Sequence, residues 1–176
     1  MTSSKGSLSH SVSGFSVGKK TAGLAGWLVL TFAAGGVGSL ASADAGNFYA
    51  VLVKPSWAPP AWLFGPAWSV LYVLMALAAW IVWRDRGFRN ARVPLALYIF
   101  QLVLNAFWTW LFFVWRLGAF SFVEILVLWV LIAALVPAFG RVNKRAAGLL
   151  FPYLGWVTYA AVLTFEVWRR NPSLLG

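Results

Sequence analysis

The sequence predicts an all-α membrane protein, a five-transmembrane-helix bundle with a long, lid-like first loop. Three observations predict it. Apolar residues make up 61% of the 176-residue chain and charged residues 10%, too little polar surface to solvate a water-soluble fold of this size. The apolar residues fall into five runs of about 20, the length that crosses a hydrocarbon core of about 30 Å as a helix. The basic residues, which give a net charge of +10, sit in short clusters between those runs, where they act as orientation signals and lipid head-group contacts. That placement argues against nucleic acid as a partner.

Residues 1–21 are rich in Ser and Gly, carry no acid and lack an apolar face, so they are expected to form a disordered tail. A transit peptide is the alternative, but Arg is absent from residues 1–20 and no amphipathic helix is present. The membrane domain is expected over residues 22–170, followed by a C-terminal tail over 171–176. The first span covers 22–43, with Gly35, Gly38, Ser39 and Ser42 as close-packing sites for a neighbouring helix. The loop after it contains Pro55, Pro59 and Pro60, which fix φ and stiffen the chain, so closing it as a lid costs little further entropy. Trp57 and Trp62 are expected to supply its apolar underside.

The second span covers 61–83, with Pro66 in its opening turn. Trp68, Tyr72, Met75 and Ala79 recur at the spacing that shares one helical face. In the third span, 93–115, Gln101, Asn105, Trp108 and Phe112 form another such stripe, and its two amides are costly against lipid tails, so this face looks inward. It serves either a ligand or hydrogen bonding between helices. The fourth span covers 117–140 and the fifth 146–168, where Pro152, Trp156, Ala160, Leu163 and Val167 share a face that sets a large ring one turn from a methyl-sized residue. Glu124 and Glu166 are the formal charges inside these limits, and both lie near span ends, as solvated or interface-paired acids. Trp27, Trp57, Trp62, Trp83, Trp115 and Trp168 also lie near span ends and are expected in interfacial belts.

Ten of the fourteen Lys and Arg residues fall on the side of the N-terminus, the second connection and the fourth. In a bacterial inner membrane this predicts a cytoplasmic N-terminus and an outside C-terminus.

Three stretches carry a resemblance: KPSWAPPAWLFGPAWSVLYVLM from Lys54 to Met75, QLVLNAFW from Gln101 to Trp108, and LLFPYLGWVTYAAVL followed by VWRRN near the C-terminus. In their order and spacing the chain resembles the TspO/MBR family of translocator and tryptophan-rich sensory proteins, over nearly everything after about residue 22. The resemblance implies a homodimer with a ligand cavity under the first loop. It implies as ligands tetrapyrroles such as protoporphyrin and haem, sterols, and benzodiazepine-site drugs. Matched by motif, the pocket would use Trp68, Asn105, Trp108, Trp156, Ala160 and Leu163, and the inward stripes add Tyr72 and Gln101. Trp57, Pro59, Pro60 and Trp62 would belong to the lid. A sterol-recognition stretch would run from Leu163 to Arg169, with Phe165 where the pattern has Tyr and so without its hydroxyl.

Several chemistries are excluded. The chain has no Cys, no span contains Lys or His, and Met75 is the one methionine inside a span, so a Schiff base and strong axial ligation of haem iron lack their residues. No cofactor is required, and no metal site, catalytic triad or phosphate-cradling loop is evident. The leading reading is a receptor or sensor for tetrapyrroles. A porphyrin or sterol transporter is the alternative, although no internal repeat is evident. A light- or oxygen-dependent porphyrin-degrading enzyme, with Trp68 or Trp156 as the redox-active neighbour, is the second.

Overall fold

Backbone polar groups in hydrocarbon must pair within their own segment, which leaves the helix as the economical way for this chain to cross. The computed structural model describes residues 16–176, and the tail expected over residues 1–15 lies outside the described residues. In chain order the helices are α1 (Val17–Ala41), α2 (Ala45–Val51), α3 (Phe64–Asn90), α4 (Arg92–Thr109), α5 (Gly118–Gly140), α6 (Lys144–Gly148), α7 (Phe151–Arg170) and α8 (Pro172–Leu175). A 3₁₀ turn at Ala61–Leu63 leads into α3, and a π-helical turn at Trp110–Val114 closes α4. Five helical segments are long and apolar enough to cross a membrane: Val17–Ala41, Ala61–Asn90, Arg92–Val114, Gly118–Gly140 and Lys144–Arg170.

α1 packs against α3 and α4, and α5 lies between α4 and α7. The common core is built from Met75, Ala78, Ala79 and Val82 on α3, Leu95 and Tyr98 on α4, Ile132, Leu135 and Phe139 on α5, and Tyr153 on α7. The alanines let neighbouring backbones come close, the usual basis of helix association where lipid tails are as apolar as leucine. A buried hydroxyl pair ties α1 to α4: Thr31 donates to the Trp27 carbonyl at 2.7 Å, so Tyr98, 2.6 Å away, donates to Thr31.

Several expectations are revised. α1 begins at Val17, with Ser16 as its N-cap, so residues 17–21 belong to the helix and not to a tail. The connection expected after residue 83 is largely a continuation of α3, because charged side chains in water impose no reason to stop until Gly87 (φ 67°) turns the chain. Trp27 and Trp83 are core residues, 5% and 7% exposed, instead of belt residues. Trp27 stands edge-on to Tyr98 at 5.6 Å, and Trp83 lies where a side chain on Gly23 would be. Residues 171–176 are docked: α8 buries Leu175 completely, and Trp168 Nε1 donates to the Gly176 carbonyl at 3.3 Å.

The two acids part company. Glu166 pairs with Arg170 one turn on at 2.9 Å, partly exposed. Glu124 is buried, with neither carboxylate oxygen hydrogen bonded. The cause is the rotation of α5, whose buried stripe runs Gly118, Ser121, Glu124, Leu128, Ile132 and Leu135 at spacings of three and four. Gly118 against Trp168, and Phe122 against Phe165, hold that stripe inward.

A Cβ at Gly23 would stand 2.0 Å from the Trp83 ring. Gly23→Val is therefore expected to destabilise the bundle by about 1–3 kcal/mol, and Trp83→Leu in the same chain to recover part of that loss. Unfolding midpoints in detergent measure both; an unchanged midpoint for Gly23→Val would refute the contact.

Candidate ligand-binding cavity

Polar side chains placed in hydrocarbon must find one another, and four of them do so in the middle of the bundle. Tyr72 on α3 donates to Asn105 Oδ1 on α4 at 3.0 Å. Asn105 Nδ2 donates to the Tyr153 hydroxyl on α7 at 3.2 Å, and that hydroxyl donates to Gln101 Oε1 at 2.8 Å. This chain forms a floor. Tyr72 and Asn105 face the space above it, whereas Tyr153 and Gln101 are fully buried beneath.

Above the floor lies a cavity of about 620 Å³, within the range usual for small-molecule sites. One turn from three of the four floor residues, on the side toward the first loop, stands a tryptophan: Trp68 before Tyr72, Trp108 after Asn105 and Trp156 after Tyr153. All three line the cavity. Trp68 and Trp156 meet edge-to-face at 6.4 Å, and Trp108 stacks on Phe112 at 5.1 Å. Ala160 and Leu163 continue the α7 wall, together with Thr164. The indole Nε1 atoms of Trp108 and Trp156 are buried and hydrogen bond to nothing. No lining residue carries a formal charge, and among the described residues no cluster of His, Cys, Asp or Glu could hold a metal ion. The site offers ring faces and a few donors, and so suits flat, mostly apolar molecules that bring their own acceptors.

The structure brings most of the expected residues together and separates others. Gln101 is not in the wall; its amide oxygen is used by Tyr153 under the floor, the interhelical role that the amide stripe also allowed. Gly35, Gly38 and Ser39 of α1 and Ser42 at its C-terminal cap, expected as packing sites, form a cavity wall. Gly35 also makes room for the Tyr72 ring, which a Cβ would meet at 2.5 Å.

The roof differs most. Trp57 and Trp62 are 45% and 72% exposed and neither lines the cavity. Trp57 turns outward onto Tyr159, ring to ring at 5.6 Å, and Tyr159 donates to the Trp57 carbonyl at 3.1 Å. The underside is α2: Ala45, Gly46 and Tyr49 face the cavity while Phe48 packs on Phe112 and Phe113. Tyr49 donates to the Pro59 carbonyl at 2.9 Å, and burial, then the nearby Tyr159, pushes its hydroxyl above the usual tyrosine range, so it stays a neutral donor. Pro59 is buried and Pro60 exposed. Asn171 clamps the loop, accepting from Val53 N–H at 2.8 Å and donating to its carbonyl at 2.9 Å. The stretch from Leu163 to Arg169 presents no single surface. At 100° per residue, Leu163 faces the cavity, Phe165 packs on Phe122, and the exposed Arg169 lies over the Phe165 ring.

The sequence has relatives among known proteins. The sequence profile of the TspO/MBR family matches residues 27–169. The chain is similar to the translocator protein of Homo sapiens, 41% identical over 132 residues, covering 74% of this chain and 78% of that protein. It is 40% identical over 126 residues to the tryptophan-rich protein TspO of Chlorobaculum tepidum, covering 71% and 80%. It is 41% identical over 125 residues to the tryptophan-rich sensory protein of Cereibacter sphaeroides, covering 71% and 77%.

Tyr153→Phe keeps the ring but strands Gln101 Oε1 and Asn105 Nδ2, and is expected to lower stability by about 1–2 kcal/mol. Tyr72→Phe removes only the terminal donor and should cost less. Equal losses in detergent unfolding would contradict the directional chain.

Proposed function

The chain belongs to the TspO/MBR family, and from that premise we propose that this integral, multi-pass membrane protein is a receptor or sensor that binds tetrapyrroles in its lidded cavity. The observation that carries the reading is the layer of Trp68, Trp108 and Trp156 one turn above the polar floor. A porphyrin is a flat apolar disc with carboxylates at one edge. Its face would stack on indole rings, each such contact worth about 0.5–1.5 kcal/mol beyond area burial. Its polar atoms would accept from the unpartnered indole N–H groups of Trp108 and Trp156.

Binding needs no iron, since no lining residue is a histidine, cysteine or methionine. Sterols fit this cavity less well, having a puckered body that gains little from stacking. A homodimer belongs to the same proposal. So does a cytoplasmic N-terminus in a bacterial inner membrane, supported by the gathering of Arg84, Arg86, Arg89, Arg92, Arg141, Lys144 and Arg145 at the bundle end where α1 begins.

In a fluorescence-quenching titration of the purified protein with protoporphyrin IX, Trp68→Leu and Trp156→Leu are each expected to weaken binding about 3- to 10-fold. Trp62→Leu, at a ring 72% exposed outside the cavity, should leave affinity unchanged. Equal affinity in all four proteins would overturn the proposal.

A further inference from the structure

On the outer side of the seam between α3 and α7 lies a second apolar hollow, of about 630 Å³. It is lined by Pro66, Ala67 and Val70 on α3 and by Pro152, Gly155 and Tyr159 on α7. Both helices belong to membrane spans, so this groove faces hydrocarbon. On each helix adjacent residues line different spaces: Ala67 and Tyr159 the groove, Trp68 and Ala160 the cavity. One side chain, Trp156, lines both spaces.

The seam is closed by rings and hardly by backbone. α3 and α7 approach each other far less closely along their lengths than α1 and α3 or α5 and α7 do. What fills the gap is Trp156 against Phe64 at 6.1 Å and Trp68 at 6.4 Å, with Trp68 against Tyr153 at 6.2 Å. Because Trp156 Nε1 makes no hydrogen bond, its ring can turn without breaking one. Gly155 beside it faces open space. The water side is fastened by contrast: moving the first loop breaks both Asn171 bonds to Val53 and the Tyr159 bond to Trp57, while the Tyr49 bond to Pro59 braces the loop internally.

We propose that the α3/α7 seam is a lateral portal: a flat, hydrocarbon-soluble ring compound docks in the outer groove from the bilayer and reaches the cavity by displacing the Trp156 ring, while the lid stays shut. The proposal rests on the reading of the cavity as a binding site for flat apolar rings. It explains why the two spaces share a wall made of one unanchored indole.

The chain has no cysteine, so Ala160→Cys places a lone thiol in the cavity wall behind Trp156. Its labelling by pyrene maleimide dissolved in proteoliposome lipid reports passage of a flat ring, whatever the natural ligand is. Gly155→Leu, filling the groove where space is open, is expected to slow labelling at least about tenfold. Asn171→Ala, which loosens the lid, should leave the rate within about twofold. Unfolding midpoints and full labelling after denaturation verify that each variant is folded and reactive. An unchanged rate with Gly155→Leu, or an acceleration above about threefold with Asn171→Ala, would place access at the lid and overturn the portal. Protoporphyrin titration of the parent chain separates the two ideas, since failure to bind it would overturn the ligand reading while the labelling pattern still decides the portal.

Discussion

Tyr72, Asn105, Tyr153 and Gln101 hold three hydrogen bonds that all run one way, from α3 through α4 and α7 and back to α4. In a bilayer each such bond contributes only about 0.6–2 kcal/mol, a modest sum for a bundle of this size. The stronger effect is on the alternatives. Turning any one helix by a residue, about 100°, would leave an amide or hydroxyl against lipid tails with nothing to bond, at a cost of several kcal/mol. The chain therefore sets the rotation of three helices together. Since a tryptophan stands one turn above a floor residue on each of them, fixing the polar layer also aims the indoles. Cavity and floor are two consequences of one constraint.

That link explains what the sequence revealed and what it hid. Runs of apolar residues and spacings of three and four are local, so the five spans and the inward faces of Trp68 with Tyr72, Asn105 with Trp108, and Trp156 with Ala160 could be read directly. The buried stripe of α5 was not legible, because that helix is apolar nearly all round; Glu124 lies on the stripe, and its nearness to a span end suggested the interface instead. The roof had no such signature. α2 is seven residues long, too short to show a period, and its role depends on Phe48 finding Phe112 and Phe113 far along the chain. Asn171 and Val53 are separated by 118 residues and no local pattern joins them. Trp57 is held outward by Tyr159, another distant partner, and α2 occupies the underside in place of the loop's own rings.

The lid also manages its charges privately. Lys54 donates to the carbonyls of Tyr49 and Leu52, at the end of α2 where helix carbonyls lack partners, and lies over the Tyr49 ring at 4.8 Å. Arg116, held at a φ of 54°, lies over the face of Phe48 at 4.7 Å. Both cations are thereby directed to carbonyls and ring faces of the roof itself, and the chamber beneath keeps an uncharged lining. Discrimination there has to come from shape and from the direction of a few donors.

The π-helical turn at Trp110–Val114 ends α4 where Phe112 and Phe113, neighbours in sequence, both reach the chamber. Trp115 N–H bonds back five residues to the Trp110 carbonyl, so this turn stores more chain than ordinary pitch requires. Rewinding that residue would advance the α4–α5 corner by about 1.5 Å and swing the two phenylalanines by roughly 100°. The width of the chamber is thus set by how one helix is coiled as well as by which side chains it carries.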